Sequence, residues 1–357
     1  MRKLLFILLI ICSIKNFAQI DTINIDKLNL KGNIKEVTEF TFKAIDKFGI
    51  IQKGEMVDDK FAIDDEYRKT NITYSFDEHT QQIEYKEYWN PTSIKNIKTY
   101  SYQNGHIYET SEKMLFSDAT IKIREIFKYN TLGLMESCTR YRNNALFEKY
   151  LYTYDEENNI TKELNINSSG EIDKETIYER EYLQGKEIYL KESNSDGEVN
   201  IKQIKYDHFG RLEREYVNYN NDFIRTIKYS YTDFNKPESI IECDDNGKSI
   251  VNTQYKYDDS CRPIEIKQIF SEGKPSITFI TYEGTTIKES LSKYNGDKES
   301  KIINNGNIIK YQINNNEFQY EYIFDKEGNW IRITEFKNTV PTIIRERTIL
   351  YHTKNMI

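Results

Sequence analysis

Four histidines, three cysteines beyond residue 18 and one acidic stretch are the side chains best suited by type to do chemistry in this 357-residue chain. Zinc needs three or four ligands converging on one point. His79, His106 and His208 fall in or beside turns of different segments, and His352 lies near the C-terminus. They read as exposed turn residues, and no metal ligand set is expected. The stretch Glu55–Glu66 (Glu55, Asp58, Asp59, Asp64, Asp65, Glu66) offers the oxygen ligands calcium prefers, but not the residue order of a calcium loop. It reads as an acidic, mobile loop. Asp244-Asp245-Asn246-Gly247 fails the same test and reads as a turn. No G-x-S-x-G, no H-E-x-x-H, no local Cys/His pair and no glycine-rich phosphate loop occurs. A glycosidase needs just two carboxylates, which distant strands can assemble. No Asp or Glu stands apart from the charged background, however. The expectation is a protein with no catalytic residue and no cofactor, and therefore not an enzyme.

Aromatic residues outnumber every other distinctive class: 28 tyrosines, 18 phenylalanines and 2 tryptophans. Most recur at fixed positions and read as core. Tyr88, Trp89, Tyr141, Tyr216 and Tyr219 depart from the pattern and are the candidates for a contact surface.

The elements that carry these residues follow from a repeat. An aromatic or apolar residue precedes a turn at Ile45, Phe76, Tyr102, Tyr129, Tyr154, Tyr182, Tyr206, Tyr231, Tyr257, Tyr282, Ile303 and Phe324, so the period is near 25. That length fits two strands and two turns. The residue two earlier is usually aromatic or apolar as well (Phe127/Tyr129, Tyr152/Tyr154, Tyr229/Tyr231), with a polar residue between. Period-two alternation places the aromatics on one face and polar residues on the other. One turn set follows the marked residue, as at Asp207–Gly210, and a second set lies at the far end of each hairpin, as at Asn194–Gly197. Asp or Asn opens these turns by bonding the backbone two residues on, and Gly closes several where positive φ is required.

The predicted fold is all-β: an antiparallel meander of about a dozen β-hairpin repeats forming a curled or coiled sheet. Glu and Lys would cover its outer face, and its terminal edges would be open to strand addition. Cys138, Cys243 and Cys261 are odd in number and do not form a disulfide framework. Cys243 and Cys261 fall at opposite ends of a strand, on the order of 30 Å apart, beyond the roughly 7 Å a disulfide spans.

The text Tyr206-Asp-His-Phe-Gly-Arg-Leu212 resembles the YD repeat of the RHS family, with degenerate copies at Tyr257–Pro263 and Phe324–Trp330. The resemblance covers roughly residues 45–357, and the ending Phe-Asp-x-x-Gly-Asn-Trp is similar to small exported RHS-like repeat proteins of Gram-negative bacteria. It implies a strand-repeat architecture. In large RHS proteins such repeats coil into a shell around a toxin, so an accessory or shell role in a toxin system is one reading the resemblance adds.

Residues 1–18 read as a secretory signal peptide: Arg2 and Lys3, an apolar run from Leu4 to Ile14, and a cleavage point after Ala18. Its removal would take the net charge from −7 to about −10, a surface that favours solubility and disfavours nucleic acid. No later stretch is apolar enough to span a membrane as a helix, so no transmembrane segment is expected in the mature chain. The chain then divides into the signal peptide (1–18), irregular N-terminal strands with the acidic loop (19–66) and YD-like hairpin repeats (67–357). The functional expectation is an exported, non-catalytic binding or scaffold module of the periplasm, cell surface or exterior. Its partner would be a protein or carbohydrate of the cell envelope. The alternatives are a glycan-active enzyme and a toxin-system component.

Overall fold

The computed structural model describes residues 22, 23, 28, 30–58, 60, 61, 69–220 and 223–353. The proposed signal peptide, and Asp59, Asp64, Asp65 and Glu66 of the acidic stretch, lie outside them. The described residues form twenty-five strands. The first six are β1 (Ile34–Lys47), β2 (Ile50–Met56), β3 (Ile72–Phe76), β4 (Gln82–Asn90), β5 (Ser93–Gln103) and β6 (His106–Leu115). Then follow β7 (Thr120–Tyr129), β8 (Met135–Arg142), β9 (Ala145–Tyr154), β10 (Ile160–Asn167), β11 (Ile172–Leu183) and β12 (Lys186–Asn194). The middle of the chain gives β13 (Val199–Tyr206), β14 (Leu212–Tyr219), β15 (Phe223–Tyr231), β16 (Pro237–Cys243), β17 (Ser249–Tyr257) and β18 (Pro263–Phe270). The last are β19 (Ser276–Glu283), β20 (Thr286–Ser292), β21 (Lys298–Asn304), β22 (Asn307–Ile313), β23 (Asn316–Phe324), β24 (Trp330–Lys337) and β25 (Val340–Tyr351).

Each strand from β3 onward pairs antiparallel with its neighbours in sequence, as the alternating turn sets require. The expected curled or coiled sheet is not what forms. β1 pairs with β25 over Ile34–Lys43 on one side and with β3 over Glu36–Glu39 on the other, so the meander closes into a barrel of 24 strands. β2 is the remaining strand, a hairpin partner of β1 beyond the end of β3. Closure pairs the two edges that an open sheet would leave exposed, which removes the strand-addition sites as well. The repeat count could not reveal this, because pairing β1 with β25 is a contact across some 300 residues.

The marked tyrosines tie the hairpins together. Seven of them, and Tyr322 two residues before the marked Phe324, donate a hydroxyl hydrogen bond to the first or second residue of the adjacent strand: Tyr102 to Gln82 O, Tyr129 to Ile107 O, Tyr154 to Met135 O, Tyr206 to Glu187 O, Tyr231 to Leu212 O, Tyr257 to Pro237 O, Tyr282 to Pro263 O and Tyr322 to Ile308 O. A register shift beside almost every one, as between Lys205 and Tyr206, is the bulge that turns the ring toward that carbonyl.

The Tyr206–Leu212 phrase is thereby accounted for position by position. Asp207 Oδ1 accepts the backbone N–H groups of Phe209 and Arg211, both at 2.9 Å. Gly210 closes the turn at φ 76°. Arg211 clamps Asp207 Oδ2 and lies 4.4 Å from the centre of the Tyr231 ring in the next unit. Arg262 repeats this on Asp258 and Tyr282.

A ring of 24 strands spaced about 4.8 Å apart has a circumference on the order of 115 Å, too wide for side chains alone to fill if it is round. Part of the chain helps to fill it. Leu28 and Leu30 pack with Ile34, Val37 and Phe76, and Phe61 packs with Tyr311, Phe318, Tyr320, Ile333 and Ile343. The acidic stretch is therefore anchored where it is described, rather than a mobile loop: Phe61 contacts Tyr320 and Arg345, and Asp58 accepts a hydrogen bond from Asn71. Cys138, Cys243 and Cys261 are free thiols, and burial pushes the Cys138 thiol up to about 12.

Candidate functional site in the barrel lumen

Register assigns every strand residue to one of two walls. Tyr100, Thr110, Glu125, Arg140 and Glu148 are consecutive cross-strand partners and share the wall that carries the tyrosines. This wall is the less accessible one, and the N-terminal segment and Phe61 sit against it, so it faces the lumen. The other wall holds Glu109, Lys113, Lys122, Arg124 and Lys128, as expected for a solvated face.

The lumenal wall is charged as well as aromatic. Moving along a strand from the tyrosines toward the second turn set, the same face bears Glu112, Glu125, Glu148, Glu163, Glu192, Glu215 and Glu242. Most are answered by a partner. Arg140 reaches Glu125 at 2.8 Å and also binds Glu148, which accepts from Tyr150. Glu215 takes Lys202 at 2.7 Å and the Tyr229 hydroxyl at 2.6 Å. Glu335 accepts from Tyr320 and Thr342. Glu39, beside the closure of the ring, faces Arg345 at 3.4 Å and Arg347 at 2.9 Å, all three buried. Glu163 differs: burial first, and then the charge of Glu192 two strands away, raise its pKa above the usual carboxylate value against a smaller opposing pull from Lys174.

Sequence reasoning placed the charge on the outer face only and missed this row. The signal was present: Glu125, Phe127 and Tyr129, like Glu148, Tyr150, Tyr152 and Tyr154, share one parity.

Two neighbouring cavities open on this wall. One, of about 370 Å³, is lined by Tyr74, Gln82, Tyr85, Asn96, Tyr100 and Lys69 among others. The second, of about 360 Å³, is lined by Met114, Ile121, Ile123, Arg140, Arg142 and Phe147. Lys98 and Glu112 line both.

The five aromatic residues proposed as a contact surface do not come together. Tyr88 bonds Thr73 and packs edge-on against Phe40. Trp89 is half exposed, with Lys95 over its ring. Tyr141 lies four strands away on β8, and Tyr216 and Tyr219 ten strands away on β14. Register puts Tyr216 on the outer wall and Tyr219 on the lumenal wall. The histidines also stay apart: His106 lies against Tyr129, His208 against Phe209, and His352 meets Asp77 O. Among the described residues no group of three or more His, Cys, Asp or Glu is placed to hold a metal ion, and no helix is long and apolar enough to cross a membrane.

No protein-family model and no curated protein matches the chain. Solved structures give distant likenesses. The Tc holotoxin pore of Photorhabdus luminescens matches at a TM-score of 0.38 and 12% identity, over 78% of this chain and 16% of that one. The chain thus spans a small part of that protein's length. A TcdB2-TccC3 structure matches at 0.22 and 12%, over 79% and 20%. A porin-like protein from Bacteroides uniformis matches at 0.21 and 13%, over 68% and 95%. At such scores and identities these likenesses carry no functional argument.

Proposed function

We propose that the protein is an exported, non-catalytic binding module of the cell envelope that takes its ligand on the inner wall of the barrel. The observation that carries this reading is the division between the two walls. The inner wall combines aromatic rings with buried charge and leaves cavities between them, the composition of a small-ligand site. The outer wall is built of solvated ion pairs at mid-strand. Arg124 holds Glu109 through two bonds of 2.9 and 2.8 Å, Lys191 holds Glu179 at 2.8 Å, and Lys310 holds Glu317 at 2.7 Å. A charge facing lipid costs about 2–4 kcal/mol at the bilayer midplane, so this wall suits water. The committed inner glutamates also support a non-catalytic role, since a carboxylate locked to Arg or Lys is a poor proton donor.

One observation favours a second reading, a glycan-active enzyme. Burial and the charge of Glu192 two strands away raise the pKa of Glu163, and a raised carboxyl pKa is what the general acid of a glycosidase needs.

Envelope extract passed over the immobilised protein separates the readings. Capture should survive charge reversal on the outer wall (Lys122→Glu, Lys128→Glu) and be lost on the inner wall (Arg142→Glu, Glu112→Lys), with no sugar released from captured glycan. Release of sugar that stops in Glu163→Gln would replace binding by catalysis. Recovery of the native protein only from detergent-extracted outer membrane would overturn the water-facing outer wall.

A further inference from the structure

The cavity between β3 and β6 has unanswered hydrogen-bonding groups of a particular kind. Asn96 is 9% exposed, and its Nδ2 donates to Glu112 Oε1 at 2.7 Å. That leaves Asn96 Oδ1 buried without a partner, and the Tyr85 hydroxyl is in the same position. Both residues line this one cavity. A buried polar atom left unpaired is destabilising, and two in one cavity mark a place where a ligand's groups belong.

What they require can be read off. Asn96 Oδ1 only accepts, and the tyrosine hydroxyl both donates and accepts. A ligand hydroxyl satisfies each. Three rings stand around them: Tyr74 and Tyr85 with centres 5.4 Å apart, and Tyr100. Aromatic faces of this kind receive the apolar C–H face of a ring that is polar at its rim. Lys98 points over Tyr100 at 5.5 Å, makes no ion pair among the described residues and lines both cavities. Its ammonium is free for an anionic substituent. Hydroxyls, a C–H face and one negative charge together describe an acidic sugar.

Building on the lumenal binding reading, we infer that the Tyr85–Asn96–Lys98 cavity is a subsite for a uronic-acid residue of a saccharide. Hydroxyls of the sugar bond Asn96 Oδ1 and Tyr85, the ring lies against the tyrosines, and the carboxylate meets Lys98. The second cavity, which shares Lys98 and Glu112 with the first, takes the next residue along the chain.

Calorimetric titration of the full mature protein with digalacturonate and with the neutral disaccharide cellobiose tests this. Digalacturonate should bind at least tenfold more tightly than cellobiose. Tyr85→Phe and Asn96→Leu should each weaken digalacturonate about tenfold; Tyr85→Phe should leave the melting temperature unchanged or higher, because it removes only an unpartnered buried hydroxyl, whereas Asn96→Leu also gives up the bond to Glu112. Lys98→Met should abolish the preference for the acidic sugar. No binding of either sugar, or equal binding by wild type and Tyr85→Phe, would overturn the subsite. The broader reading is tested separately: envelope capture that persists in Tyr85→Phe but is lost in Arg142→Glu would overturn this subsite and leave the lumenal binding module standing, whereas capture unchanged in Arg142→Glu would overturn the lumenal reading itself. Titration showing displaced water only, with no saturable sugar binding, would assign the two polar atoms to solvent and also overturn the inference.

Discussion

In the unit at Tyr206–Leu212 the carboxylate of Asp207 is held by Arg211, four residues on, and the Arg211 guanidinium covers the Tyr231 ring of the next hairpin. In the last unit, Phe324–Trp330, the matching Asp325 is held by the Tyr351 hydroxyl, and Asn329 stands where the arginine was. Asn329 is buried. It accepts from Lys31 N at 2.7 Å and donates to Lys31 O and the Tyr351 hydroxyl, both at 2.8 Å. One turn design thus serves two ends. With arginine it links a hairpin to the next hairpin. With asparagine it receives the N-terminal segment and helps to close the ring. Phe76, beside the seam on β3, makes the same exchange: its ring lacks the hydroxyl of the repeated tyrosines and packs with Leu30, Ile34 and Val37. The copies of the repeat beside the seam are therefore specialised.

The largest test of this contrast is Glu39→Ala. It takes the Glu39 carboxylate away from the buried Arg345 and Arg347 guanidiniums, a loss of about 3–5 kcal/mol. The exposed Lys205–Glu213 pair in a regular unit gives the comparison, and Glu213→Ala should shift stability by roughly 0.5 kcal/mol or less. Equal midpoints in urea for the two variants would mean that buried charge does not hold the seam.

Asn329→Ala should cost about 1–3 kcal/mol, because it removes three hydrogen bonds made by a buried side chain, two of them to the Lys31 backbone. Arg211→Ala, which removes a half-exposed clamp, should cost less than about 1 kcal/mol. Hydrogen exchange sharpens the difference: Asn329→Ala should raise exchange at Lys31 and neighbouring amides and spare Tyr206–Leu212. Uniform acceleration around the barrel would show that the seam is no special point.

The smallest effect belongs to a single tie. Tyr231→Phe removes the bond to Leu212 O and should cost about 0.5–1.5 kcal/mol. Its effect on exchange should stay within β14–β16. An equal loss of protection at the seam would mean that the tyrosine row acts cooperatively around the whole ring.

Much of the repeat was legible because its causes are local. Asp207 caps its own turn, Gly210 takes positive φ, and Tyr229 and Tyr231 share a face by strand parity. The unlinked positions of Cys243 and Cys261 followed from the same register. The candidate site was less legible. Tyr88, Trp89, Tyr141, Tyr216 and Tyr219 were chosen for irregularity in sequence, and the barrel spreads them over three strands and both walls. The Tyr85–Asn96–Lys98 cavity joins residues of ordinary type, and only the meeting of four strands with Thr22 and Ile23 makes it a cavity.

The amino-acid sequence by itself determined the hairpin, its two turn sets and the face on which its aromatics lie, because each depends on hydrogen bonds and parity within about 25 residues. The tertiary structure alone decided that the meander closes, and that a row of glutamates shares the lumen with the tyrosines. Closure depends on β1 finding β25, and lumenal burial depends on the curvature of the whole ring. Strand parity within a repeat puts the glutamates on the tyrosine face, but that this face becomes a closed lumen is written in no single repeat.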